Sequence, residues 1–243
     1  MGTFQLRNRI TAGVSFDIPG MGYRNPRTGL IEGFEADLAR AIAERLFGAP
    51  DHIDFLQVTD EHRIPALQND SVEMVLSQIT ITPDRAEQVD FSIPYLTTRE
   101  AILVPRGSPI RGFEDLRGKR VAVTAGSISL RRMRASLPDA TLVVTPLSIG
   151  GLEAVAEGRA DAASNDLINL TMMQKGCGRP DQFELIDLGD RFDAKPFGVA
   201  VKKGRQSFVD LLNQAIASLA AAGEIDRLMT QNVTAVGNRS EFD

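Results

Sequence analysis

The chain has 243 residues, enough for one large domain or two small ones, each with its own core. Its 27 Lys plus Arg against 32 Asp plus Glu leave a net charge of −5, without the basic surface that duplex binding needs, so no nucleic-acid partner is expected. The 43% apolar and 24% charged residues are those of a folded globule, and the longest near-apolar stretch, Ala215 to Gly223, is too short for a membrane span; Cys177 alone makes no internal disulfide, and with His52 and His62 it supplies no zinc site.

In chain order, short apolar runs rich in β-branched residues alternate with helical patterns, which predicts an α/β fold with mostly parallel sheets flanked by helices. The first segment, Met1-Gly2-Thr3-Phe4, lacks the charged, apolar and cleavage regions of a leader, so the expectation is a mature chain without a signal peptide. Phe34, Leu38, Ile42 and Leu46 recur every fourth residue and predict a helix over 34–47, with Asp37, Arg40 and Glu44 off its apolar stripe. Val72 to Ile81 reads as a buried strand. Thr82-Pro83-Asp84 then supplies an N-cap, a proline at the first helical position and an acid in the first turn, so a helix starts there. Phe91 to Tyr95 breaks it, and strands follow at Ala101–Val104 and Val121–Thr124.

The second half repeats the pattern. The loop Ala125 to Ser129 opens a helix with Arg131, Arg132 and Arg134 exposed; a strand at Leu142–Val144, a helix at Ile149–Glu157 and a strand at Asp161–Ser164 follow. Phe197–Val201 is the last strand, and two amphipathic helices close the chain, the first burying Phe208, Leu211, Leu212, Ala215, Ile216 and Leu219 and the second Ile225, Leu228 and Met229. No low-complexity linker separates the blocks, so ordered crossings rather than a tether join any two lobes.

Two apparent motifs fail on spacing. Gly112 to Lys119 has five residues between its glycines where a phosphate loop has four, and it precedes a strand instead of following one. Gly126-Ser127-Ile128-Ser129-Leu130 lacks the second glycine of a nucleophile elbow, so either serine reads as an N-cap. Arg85, in the first turn of its helix, opposes the macrodipole and gains nothing locally, which leaves a ligand anchor or an exposed surface arginine. Asp166, after a strand and before a helix, reads as a ligand residue at the carboxyl edge of a sheet or as a plain N-cap.

Three stretches carry a family resemblance: Gly33-Phe34-Glu35-Ala36-Asp37-Leu38-Ala39; Ile79-Thr80-Ile81-Thr82-Pro83-Asp84-Arg85 with Val89-Asp90-Phe91-Ser92-Ile93-Pro94-Tyr95; and Asp161-Ala162-Ala163-Ser164-Asn165-Asp166. Together they resemble the extracellular solute-binding proteins for polar amino acids, family 3, and Phe16 to Gly22 is similar to the glutamate/glutamine-like branch. The resemblance implies a type II periplasmic-binding-protein clamp. Lobe 1 would span 1–97 plus 197–243 and lobe 2 98–196, with hinge crossings near 96–100 and 191–198. It implies a monomer outside the cytoplasm that binds glutamate, glutamine, aspartate or asparagine in the interlobe cleft without a cofactor or metal, and delivers it to the membrane permease of an ABC transporter.

By the same resemblance Arg85 grips the ligand α-carboxylate and Asp166 the α-ammonium, roles that suit a guanidinium fork and a carboxylate. Thr80, the Gln78 carbonyl and the Ser127 loop complete the polar cage, and Phe16, Asp17 and Arg24 approach the ligand side chain together with Ser15 and Tyr23. Two departures stand out. Ile128 replaces a threonine common in the family, leaving a main-chain N–H in the carboxylate loop, and Ala122 and Gly151 occupy the places of a disulfide found in relatives. The alternatives on this fold are a cyclohexadienyl dehydratase-like enzyme and the sensor domain of a receptor.

Overall fold

The computed structural model describes residues 8–237; Met1–Phe4 and the end of the chain at Phe242-Asp243 lie outside them. In chain order the elements are β1 (Ile10–Val14), β2 (Asp17–Ile18), β3 (Gly22–Arg24), β4 (Ile31–Glu32), α1 (Phe34–Phe47), β5 (Ile53–Gln57), α2 (Arg63–Gln68), β6 (Met74–Val75), α3 (Pro83–Ala86), β7 (Val89–Thr98) and β8 (Glu100–Pro105). They continue as β9 (Arg120–Thr124), α4 (Ile128–Ser136), β10 (Thr141–Thr145), α5 (Ile149–Ala156), β11 (Ala162–Asp166), α6 (Leu167–Gly176), β12 (Phe183–Asp187), β13 (Lys195–Lys202), α7 (Gln206–Ala221) and α8 (Glu224–Gly237).

The chain divides into two compact units. The first gathers the described residues up to Phe16, Gly20–Thr97 and Pro196–Thr234; the second gathers Asp17–Pro19, Thr98–Lys195 and the described residues from Ala235. Unit 1 is built on a sheet of order β5-β1-β6-β13-β7, in which β1 runs parallel to β5 and β6 and β13 joins β6 antiparallel through Ala200↔Val75. Its core includes Val58, Leu67, Val75, Ile79, Val89 and Ala200. Helix α1 has the predicted bounds and buries Phe34, Leu38 and Ile42. It stops at Gly48, whose left-handed backbone (φ 81°) lets its N–H close on the Glu44 carbonyl at 2.8 Å.

Unit 2 repeats the plan with a sheet of order β10-β9-β11-β8-β12: β9 is parallel to β10 and β11, while β8 is antiparallel to both β11 and β12. Ile102, Val104, Val121, Val123, Met133 and Ala162 fill the core on one side of it. Both sheets are therefore mixed, each a parallel trio extended by antiparallel pairing.

Three expectations change. The ladder expected over Val72–Ile81 is confined to Met74–Val75 plus a lone bridge from Thr80 to Phe197, because Gln78 takes a left-handed backbone (φ 46°) that interrupts the extended path, although the segment remains buried. Phe91–Tyr95 lies inside strand β7, and the proline there is tolerated because β7 is an edge strand. Arg132 is half-buried: its guanidinium stacks on Phe192 at 5.0 Å and donates to the Asp193 carbonyl at 2.7 Å.

Candidate functional site

In unit 1 the sequence Thr82-Pro83-Asp84 does what its residue types dictate. Thr82 caps α3 by accepting the Arg85 N–H at 3.4 Å, and Pro83 sets the first turn. Arg85 is then carried inward, only 5% exposed, and donates from Nη1 to the Thr80 carbonyl at 2.9 Å. It is not an exposed surface arginine, and it has a local partner. Two of the predicted ligand residues, Thr80 and Arg85, are thus brought into direct contact, both buried.

Gln78 precedes them with its side chain and N–H turned to a buried carboxylate that sequence reasoning passed over, that of Glu35. The Gln78 N–H donates to Glu35 Oε1 at 2.8 Å, Gln78 Nε2 donates to Glu35 Oε2, and the same Nε2 reaches Ser15 Oγ at 3.1 Å. Tyr95 donates its hydroxyl to Glu35 Oε1 at 2.5 Å. Burial pushes the Glu35 carboxyl up to about 7 against the opposing pull of these hydrogen bonds and of Arg63. Phe16 and Arg24 also meet within unit 1, the exposed guanidinium lying 5.6 Å above the ring.

Unit 2 carries the other predicted residues. Asp166 stands at the N-cap of α6 but its side chain does not cap: the first amides of the helix, at Leu167 and Ile168, are taken by the Arg99 carbonyl at 2.9 Å and Thr98 Oγ1 at 3.4 Å. Its carboxylate, buried, pairs through Oδ1 with the Lys195 ammonium at 3.1 Å. Lys195 is 1% exposed; its ammonium donates to Ser129 Oγ at 3.0 Å and is ion-paired with Glu100 Oε2 at 2.7 Å as well as with Asp166. Glu100 in turn accepts from Ser164 Oγ at 2.7 Å and pairs with Arg132 at 3.3 Å. The result is a row of alternating charge, the half-buried Arg132 followed by buried Glu100, Lys195 and Asp166, with Asp166 at one end.

Ser127 is the N-cap of α4, its Oγ accepting the Leu130 N–H at 3.0 Å after Gly126 at φ 75°, and Ile128 opens the helix half-buried. Asp17 has a structural task that the sequence did not announce. Its Oδ2 accepts the N–H groups of Ser148 at 2.8 Å and Ile149 at 3.2 Å, so it caps α5, whose own N-cap residue Ser148 makes no side-chain bond. Glu35, Glu100 and Lys195 were the residues missed. The only signal for them was an acid or base inside an otherwise apolar strand or helix face.

The profile of the bacterial extracellular solute-binding proteins, family 3, matches residues 10–235. The ABC transporter glutamine-binding protein GlnH of Bacillus subtilis (strain 168) is 32% identical over 223 residues, covering 91% of this chain and 80% of that protein. The glutamate-binding protein GluB of Corynebacterium glutamicum is 28% identical over 236 residues, covering 92% and 78%. Among solved structures, the cysteine-binding protein from Campylobacter jejuni has a TM-score of 0.87 at 25% identity, covering 98% of this chain and 94% of that one, and it shares the type II periplasmic-binding-protein fold. With a match running through nearly every described residue, the chain belongs to the bacterial extracellular solute-binding proteins, family 3.

Proposed function

We propose that this protein binds a polar α-amino acid, with glutamate, glutamine, aspartate and asparagine as the leading ligands, and presents it outside the cytoplasm to the permease of an ABC transporter. The observation that carries the reading is Arg85, a cation 5% exposed whose guanidinium donates to the Thr80 carbonyl at 2.9 Å. Arg85 is assigned the α-carboxylate and Asp166 the α-ammonium. Thr80 and the Ser127–Ile128 loop supply further polar contacts to the ligand, and Phe16 and Arg24 face its side chain. The relatives named for glutamine and glutamate support a polar side chain, and the cysteine-binding neighbour is a reminder that the fold alone does not choose it.

The role proposed is capture without turnover, since paired recognition of carboxylate and ammonium asks for no acid or base at a reacting bond. A thermal-shift screen of the twenty amino acids tests the reading. A ligand at about 100 times its dissociation constant adds roughly 2.7 kcal/mol to the folded state. That is a rise of about 5–10 °C in midpoint for a chain of this size. Flat curves for all twenty would refute it, and conversion of prephenate or arogenate by the purified protein would replace it with the dehydratase reading.

A further inference from the structure

Glu35, like Glu100, is fully buried, and it lies on the inward face of α1. Its position is dictated by the turn before the helix. Gly33, at φ 115°, takes a backbone that other residues rarely adopt, and a Cβ there would run into the Met21 carbonyl. With glycine present, the Phe34 and Glu35 N–H groups close on the Gly20 and Met21 carbonyls, each at 2.9 Å, and the Glu35 side chain enters the unit between β7 and the segment that follows β6. There its two oxygens receive three donors: the main-chain N–H and side-chain amide of Gln78, and the hydroxyl of Tyr95.

The main-chain bond matters most. Gln78 is a non-glycine residue at φ 46°, a conformation that persists only where surrounding contacts hold it. Two residues further on, Thr80 presents its carbonyl to Arg85. From these contacts we infer that Glu35 is the positioning residue that holds the Ser77–Thr80 segment in the conformation that aims Arg85, and that it does so as a carboxylate, so that amino-acid binding is linked to a proton. The inference rests on the function proposed above, in which Arg85 receives the ligand carboxylate.

The chemistry makes the charge state decisive. A carboxylate offers only acceptors, and three donors converge on this one. Protonation turns one oxygen into a donor, so the Tyr95 hydroxyl must turn round to accept it, the Gln78 amide must turn over, or one of the three bonds must break. The other ionisable groups facing Glu35 are the Tyr95 phenol on β7 and Arg63 on α2, the latter held by Asp60 at 2.8 Å and by the Ser77 carbonyl. Ser15 completes the surroundings through the Gln78 amide.

Three measurements on wild type, Glu35→Gln and Glu35→Asp test this. The first is hydrogen exchange at residues 77–80 in the ligand-free protein at pH 8, compared between wild type and Glu35→Gln. Exchange there at least about tenfold faster in the variant is expected, and equal protection overturns the positioning role whether or not any ligand is known.

The second is the tyrosine absorbance between pH 5 and 8.5. The sequence has two tyrosines and no tryptophan, so a change in the Tyr95 hydrogen bond is visible against little background. A single step centred near the Glu35 value of about 7, present in wild type and missing in Glu35→Gln, is expected. No step, or a step that survives the substitution, overturns the assignment.

The third is the dissociation constant for L-glutamine and L-glutamate by calorimetry at pH 5, 6 and 8. If only the ionised form is competent, about 1% of the protein is competent at pH 5, so binding weakens by up to about 100-fold, and by about tenfold at pH 6. Glu35→Gln should bind weakly at every pH with a flat profile, and Glu35→Asp should regain part of the slope. A wild-type affinity that changes less than twofold from pH 8 to pH 6 overturns the proton linkage. Absence of binding by any amino acid at pH 8, with the exchange and absorbance results as expected, counts instead against the amino-acid function and leaves the Glu35–Gln78 contact established.

Discussion

Replacing Lys195 by methionine removes one charge from the row in unit 2 while nearly keeping the volume of the side chain, so the change isolates electrostatics from packing. At 2.7 Å from Glu100 and 3.1 Å from Asp166, the ammonium attracts them by about 6 and about 5 kcal/mol respectively at an effective dielectric of ~20. Much of that is offset by the cost of taking the ammonium out of water, which methionine does not incur. What the variant retains is the cost of burying the carboxylates. Glu100 still has Arg132 at 3.3 Å, but Asp166 loses the ammonium. Breaking one side of such a buried arrangement typically costs about 3–5 kcal/mol. At roughly 2–4 °C per kcal/mol for a chain of this size, the midpoint of thermal unfolding should fall by about 6–20 °C.

Urea unfolding followed by circular dichroism measures the free energy directly, and the double variant Glu100→Gln/Lys195→Met completes a cycle. Because both changes remove the same Glu100–Lys195 contact, the double variant should be more stable than the two single losses added together would make it, by at least about 1 kcal/mol. A Lys195→Met protein that melts within about 2 °C of wild type, or a cycle that closes additively, would show that the row of charges contributes nothing and that Lys195 is merely accommodated.

Four further outcomes follow from the geometry. Arg85→Ala should weaken amino-acid binding by at least about 100-fold in calorimetry, since a desolvated charge pair broken on one side loses roughly 3–5 kcal/mol, and Arg85→Lys should restore little for want of the planar fork. The same Arg85→Ala protein should also melt slightly lower than wild type, because the Thr80 carbonyl loses its 2.9 Å donor, worth about 1 kcal/mol. Glu35 sets a slope of stability against pH: its carboxyl, raised from 4.5 to about 7 by burial, holds a proton in the folded state where the unfolded chain does not, so its contribution is fully present below about 4.5 and is lost as pH rises through 7. Unfolding at pH 5 and 8 should differ by up to roughly 3 kcal/mol from this source, with Glu35→Gln removing the difference. Asp17→Ala should cost about 1 kcal/mol, or roughly 2–4 °C, through the lost cap on α5, and Asp17→Asn should retain most of it; no change on Asp17→Ala would dismiss the cap.

The elements that sequence alone located are those whose cause is local. Helix α1 was legible at both ends because its stripe repeats every fourth residue and Gly33 and Gly48 bracket it, and α3 because Thr82, Pro83 and Asp84 each act within one turn. Arg85 stood out as a charge in the wrong place for its helix. What escaped depends on contacts far apart in the chain. Asp17 caps a helix 131 residues away, which nothing in the Phe16 to Gly22 segment announces. Glu35 reads as an ordinary first-turn acid, favourable to the helix dipole, until the fold brings Gln78, 43 residues later, onto it. Strand β5 escaped because most of it is only partly covered and shows no clean alternation, and β7 because its proline reads as a break.

The interleaving of the two units has a consequence for how the chain comes to be folded. The sheet of unit 1 contains β13, which lies beyond the whole of Thr98–Lys195 and pairs with β6 across a gap from Val75 to Ala200. During synthesis, strands β1, β5 and β6 therefore emerge and must wait, with β6 lacking one neighbour, until nearly all of unit 2 has followed. Unit 2 has all five strands of its sheet within Thr98–Lys195 and can form its sheet first. The unit that begins the sequence is thus expected to be the last to close, and the delayed pairing of β6 is the stage most exposed to aggregation. Chains truncated just after Lys195 should show protease-resistant structure over 98–195 and none over the first 97 residues; resistance in the reverse order would refute this sequence of events.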